Sequence, residues 1–258
     1  MDSHKQLPKF IIKNFSQKNG RVFYYDLKKD AIKMKGPGAL GVEEDYFSKQ
    51  IETKLNKEVE TPCSRILSKM KKESINNIKL SKKEEYDIKK FFSVSMFRSN
   101  FASEDFRYNS IFAQWLPDQI THDFLVDASL DGEIIEYVNC RSVSVLNNQS
   151  EISFVTSRNG YTIISANNFE LIIMPFTPFR TIALIPMDRE EKNTIIPIPD
   201  PDDIKYINEQ IASFEYIYNK DFIISTNKEE LLRLQTYLKK KTDYLEKTKS
   251  DLFLNHVQ

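Results

Sequence analysis

Near Val138 the spacing of apolar residues changes, and that change limits the fold more than any single motif. Upstream, Phe47, Ile51, Leu55 and Val59 recur at four-residue steps, and Ile88, Phe91, Phe92, Ser95 and Arg98 follow one side of a second helix. Downstream, Val143, Val145, Ile152, Phe154, Ile163, Ile164, residues 171–174 and residues 182–185 form short runs of strand character. Helical spacing returns after residue 202, ending in Leu231, Leu234, Leu238 and Leu245. Grouped helices and grouped strands, without βαβ alternation, give an α+β fold. N-terminal and central helices are expected to pack on a mainly antiparallel sheet, with a long C-terminal helix. At 258 residues the chain reads as a single α+β domain, mostly helical over 1–136 and sheet-rich with terminal helices over 137–258.

Local chemistry places the boundaries. Pro8, Ile11, Ile12 and Phe15 share one face of a short helix, and Pro8 suits its first position. Residues 21–27 and 31–35 read as strands. Pro62 bends or divides the helix begun near Phe47. Ser81-Lys82-Lys83-Glu84 is a capping box that starts the next helix. Ser103 caps a further helix carrying Phe106, Phe112 and Trp115, stopped by Pro117. Arg158-Asn159-Gly160-Tyr161 reads as a hairpin turn. Pro197, Pro199 and Pro201 form a loop, a helix covers 202–212 and a strand 222–225. Thr226 with Glu229 forms a second capping box, opening a helix that runs to about residue 249.

Composition excludes several classes. Lys plus Arg equals Asp plus Glu, at 37 each, so the chain does not coat nucleic acid by bulk attraction; a local basic patch stays open. With six glycines and neither GxGxxG nor GxxxxGK[ST], the Gly-rich phosphate cradles are absent. No GxSxG elbow occurs. Cys63 and Cys140, far apart, make neither a zinc pattern nor a disulfide framework, which points to a reduced, cytoplasmic compartment. The N-terminus lacks the apolar run of a signal peptide. The most apolar stretch, 169–187, contains Glu170, Arg180 and three prolines, so it reads as buried strands and no membrane is expected.

Several stretches together resemble the bacterial DUF4238 family, over most of the chain. They are His4-x-x-x-Pro8 with the apolar run to Phe15, Ile51-Glu52 with a second acidic position near Glu58, and the helix from Phe91 to Arg98. Further along come residues 163–169, the apolar strands of 174–186, and a late Asn-containing helix over 206–218. The resemblance implies a fold more than an activity. Asn167 stands where the family usually has Asp, Phe169 replaces its Pro, and Ser99 follows Arg98 where the family has Pro.

His4, Glu52, Arg98 and Asn167 each lie beside an apolar face, where an unpaired polar group is costly. As a site, they suit hydrolysis of a phosphate-containing substrate. Glu52 binds a divalent metal or acts as base, His4 is a metal ligand or general acid, Arg98 grips an anionic oxygen, and Asn167 orients substrate or water. The structural alternative makes Glu52 and Arg98 an ion pair between helices, His4 a partner for a carbonyl, and Asn167 part of a turn. His122 and His256 read as surface residues. Two functions follow. One is a hydrolase acting on a nucleic acid or nucleotide, an effector in conflict between bacteria and phage. The other is a non-enzymatic binding or sensing module that meets a protein partner through Leu231, Leu234 and Leu238.

Overall fold

The computed structural model describes residues 2–4, 7–44, 47–73, 78–98, 123, 125–127, 129–130, 134–166, 169–187 and 195–254. A ribbon of β1 (Asp2–His4) and β4 (Val42–Glu44) lies at the N-terminus, pairing His4 with Val42. Between its strands come α1 (Lys9–Asn14), β2 (Val22–Asp26) and β3 (Ala31–Lys35). A helical run follows through α2 (Lys49–Lys54), a π-helical segment (Leu55–Glu60), α3 (Thr61–Lys72) and α4 (Lys82–Phe97). After α5 (Glu136–Asn139) the strands β5 (Arg141–Asn148), β6 (Thr156–Ser157), β7 (Thr162–Ala166), β8 (Phe169–Thr177), β9 (Arg180–Pro186) and β10 (Ile195–Ile198) succeed one another. The chain then forms α6 (Pro201–Tyr218), β11 (Phe222–Ser225) and α7 (Lys228–Leu254). The fold is mixed α+β, as the change in spacing requires. The expected helix over Phe106–Trp115 lies outside the described residues.

The strands sort into two main sheets where one is expected. The larger has the order β10-β5-β9-β8-β7, antiparallel except for the β10–β5 pair; the smaller has the order β3-β2-β11-β6. The expected hairpin at Arg158 is instead the crossing between them. Ser157 O accepts from Gly160 N at 3.0 Å, and Gly160 takes φ +76°, so the turn itself forms. Yet Arg158 N donates to Phe222 O, which keeps β6 with β11, while β7 pairs with β8.

Both faces of the larger sheet are covered, which explains its continuous apolar runs. Ile172, Met174, Ile182 and Leu184 join the core beneath α1–α4. Their neighbours Ile173, Ala183 and Ile185 join a second core beneath α6 and α7. Burying one such side chain contributes about 1.5–3 kcal/mol, so these alternating pairs set the register of the sheet.

Three local expectations need correction. Ile152 and Phe154 lie in irregular backbone, not a strand: Asn148 and Asn208 side chains and the Pro178 carbonyl take its hydrogen bonds. Pro197 belongs to the edge strand β10, an edge position that proline tolerates, and α6 begins at Pro201. The N-cap of α7 is Asn227, whose Oδ1 accepts from Glu229 N at 2.8 Å; Thr226 Oγ1 bonds instead to Ser153 Oγ. The Ser81 box forms as read, with Glu84 N on Ser81 Oγ at 3.2 Å and Ser81 N on Glu84 Oε2 at 2.8 Å. No helix among the described residues is long and apolar enough to cross a membrane.

Candidate functional site

The helix begun at Lys49 has to pass Pro62. Proline offers no amide hydrogen, and its ring crowds the carbonyl four residues back, that of Glu58. The backbone widens into the π-helical segment just before it. Residues four apart drift around an α-helix, because 3.6 residues make a turn. The wider π turn opposes that drift. Ile51, Leu55, Val59 and Cys63 accordingly stay buried together. The same register carries Glu52, Asn56 and Glu60 along the adjacent strip.

Arg98 meets that strip from the C-cap of α4, where exposed carbonyls favour a cation. Its residue is 1% exposed. Nη1 donates to Glu60 Oε1 at 2.8 Å, and the guanidinium carbon lies 5.5 Å from the centre of the Phe47 ring. Glu60 leaves 23% of its side-chain surface open. One ion pair thus joins the residue before α2, the π-helical segment and the end of α4.

An open groove of about 550 Å³ runs along the α3/α4 seam, past Pro62, Arg65, Lys69, Ser81, Lys83 and Glu84. Pro62 is two residues beyond Glu60, so the groove ends beside the ion pair. Lys69 pairs with Glu84 at 2.9 Å and Lys83 with Asp87 at 3.2 Å, while Arg65 is exposed. Hydrogen bonds from the Ser81 backbone hold the Glu84 carboxyl below its usual range, with Lys69 adding to the effect.

Of the four residues singled out in the sequence, Glu52 is half-buried in the first turn of α2 and Arg98 is sealed at the end of α4. The backbone of His4 is a β1 residue; its imidazole, like Asn167, His122 and His256, lies outside what the structure describes. The carboxylate printed against Arg98 is Glu60, not Glu52 or Glu58. Among the described residues no group of three or more His, Cys, Asp or Glu is gathered as a metal site. Leu231, Leu234 and Leu238 are at most 2% exposed and pack in the second core, so they offer no seam to a partner.

Sequence reasoning passes over Glu60, Asn208 and Glu215. The last two carry a readable signal: they interrupt the apolar stripe Ile204, Asn208, Ile211, Glu215, spaced at i, i+4, i+7 and i+11, and all four are buried. Asn208 Oδ1 accepts from Val155 N at 3.0 Å, and Nδ2 donates to Ser153 O at 3.0 Å and Glu230 Oε1 at 2.7 Å. Arg233 then holds Glu230 at 2.8 Å and also pairs with Glu209. The Asn of the late helix therefore fixes the irregular 152–155 backbone and docks α7.

A family model described as "Protein of unknown function (DUF4238)" matches residues 6–229. The chain belongs to the DUF4238 family. The match takes in the Glu60–Arg98 seam and the Asn208–Glu215 stripe, and it stops in the first turn of α7. No curated protein and no solved structure matches the chain.

Proposed function

We propose that this DUF4238 protein is a hydrolase acting on a nucleic acid or a nucleotide, at the end of the α3/α4 groove. The observation that supports this reading is the groove itself: it carries exposed Arg65 and ends beside a carboxylate held in place by a buried guanidinium. Arg65 and Lys69 take phosphate oxygens of the substrate. Glu60, its Oε1 fixed by Arg98, orients a water through its open edge and accepts the proton as the water oxygen attacks phosphorus. The leaving oxygen departs with its bonding electrons and takes a proton from solvent. Arg98 acts through Glu60 as a positioning residue, and Glu52 lines the approach. Such an activity suits a cytoplasmic effector in conflict between bacteria and phage.

The test is turnover of short single-stranded RNA, single-stranded DNA and nucleoside triphosphates, each with divalent cations and with chelator. The wild type is expected to cleave at least one class. Glu60→Gln lowers kcat by about 100-fold or more with unchanged circular dichroism, and Arg65→Ala raises KM. A folded wild type that hydrolyses none of them overturns the reading. Binding without turnover moves the protein to the binding or sensing class.

A further inference from the structure

Glu215 is fully buried in the last turn of α6, where the carbonyl end of a helix disfavours negative charge. Its Oε2 accepts from Asn159 N and from Asn219 Nδ2, both at 3.2 Å, and its Oε1 accepts from Asp221 N at 3.3 Å. Its backbone carbonyl accepts from Asn219 N at 3.1 Å and Lys220 N at 2.7 Å, with Lys220 held at φ +50°. A single residue therefore joins the end of α6, the segment leading into β11, and the 157–160 turn where the chain passes from one sheet to the other.

The charges around it do not balance an anion. Arg158 faces it from the 157–160 turn, beside the Ser157 hydroxyl, but the Arg158 guanidinium is ion-paired with Asp221. Arg158 thus stands between two carboxylates. On the α7 side Lys220 pairs with Glu246 at 3.3 Å, and Tyr216 also donates to Glu246. From β7 and α6 the neighbours are aromatic, with Tyr161 and Phe214 ring centres 5.7 Å apart.

We propose that Glu215 is a proton-operated latch: as a neutral acid it holds the 157–160 turn and the 219–221 segment onto α6, and as an anion it releases them. The neutral acid needs an acceptor for its O–H. Asn219 Oδ1 is a buried oxygen with no hydrogen-bond partner, and turning that amide over presents it to the acid. Loss of the proton leaves a sealed carboxylate that shares its cation with Asp221, and opening of 219–221 hydrates it. Burial accordingly pushes Glu215 up to about 7. An unfolded chain releases this proton near 4.5, so the fold binds more protons between those values. The contribution of the latch to stability is complete on the acid side and is lost as pH rises to about 7.

The test is hydrogen–deuterium exchange of the Asn159 and Asp221 amides from pH 6 to 8.5, corrected for intrinsic rates, with thermal melts over the same range. Wild type is expected to lose about tenfold protection at both amides as pH rises, and to melt lower. Glu215→Gln, neutral and nearly the same shape, keeps protection and melts at a constant temperature. His4, His122 and His256 titrate in this range, and the Gln comparison subtracts them. Protection that stays constant in the wild type overturns the latch, whether or not Glu215→Gln folds. A pH slope shared by wild type and Glu215→Gln also overturns it.

Discussion

Two carboxylates meet opposite conditions on the two sides of the five-stranded sheet. On the α3/α4 side, Glu60 faces Arg98 at 2.8 Å and keeps a solvent edge. On the α6 side, Glu215 has no exposed surface and stands next to an Arg158 that already pairs with Asp221. Burial alone therefore does not set the charge of either group. The match of carboxylates to guanidinium groups does, and so does access to water. The first arrangement suits an anion that orients a ligand; the second suits a group that takes up and releases a proton.

The largest effect is expected at the first site. Arg98→Met leaves Glu60 facing an apolar interface without its cation. Breaking a buried pair costs about 3–5 kcal/mol, and the open edge of Glu60 places this case at the low end, about 3 kcal/mol in urea unfolding. Adding Glu60→Gln to Arg98→Met returns more than half of that loss. A single-variant loss under about 1 kcal/mol breaks the comparison, because Glu60 then needs no partner.

On the α6 side the polar groups are satisfied as a network. Asn208→Ala strands the Val155 N–H, the Ser153 carbonyl and one Glu230 oxygen, and is expected to cost about 1–3 kcal/mol. Faster exchange at Val155 than elsewhere in the second core locates the loss. Gly160→Ala tests the crossing turn beside the latch. Its φ of +76° disfavours a side chain, and an added Cβ sits 3.0 Å from Leu7 Cδ1. About 1–2 kcal/mol is expected, read as a lower melting temperature, and no change removes the turn from the account.

The contrast between these sites also explains what was legible beforehand. Apolar spacing finds layers, because burial of a stripe is a property of one element; it located α4, β8, β9 and β11. It does not find partners. The 158–161 turn is readable, but which sheet receives β6 depends on Phe222, some sixty residues away. Glu60 is hidden because an α-helical period turns it off the Glu52 strip, and only the widening before Pro62 brings it back. Glu215 and Asn208 stand in plain view as polar breaks in an apolar stripe, and their meaning lies in backbone groups from distant loops. Caps show the same limit at short range. Ser81 competes with no neighbouring side chain of its kind, whereas Thr226 stands next to Asn227, and the longer amide takes the helix. Ser81→Ala and Asn227→Ala are each expected to cost about 1 kcal/mol, and Thr226→Ala less, by thermal unfolding.

The smallest effect is expected where a carboxylate has both a partner and open water. Asp30 sits in the β2–β3 turn at φ +47°, a conformation that Asp and Asn tolerate. It accepts from Tyr25 at 2.9 Å, Gln235 at 2.6 Å and Lys239 at 2.7 Å, tying α7 to the smaller sheet. The Lys239 hydrogen bond leads in holding its carboxyl down at about 2. Its pH effect therefore runs opposite to that of Glu215: the contribution is present above the ordinary value of 3.8 and is lost as pH falls toward 2. Asp30→Asn keeps the turn and an acceptor while removing the charge. A shift of no more than about 1 °C in melting temperature is expected at neutral pH, vanishing in 1 M salt. A loss as large as that of Arg98→Met would mean that pairing matters as much at the surface as in the interior, and the distinction between Glu60 and Glu215 would then rest on something other than burial.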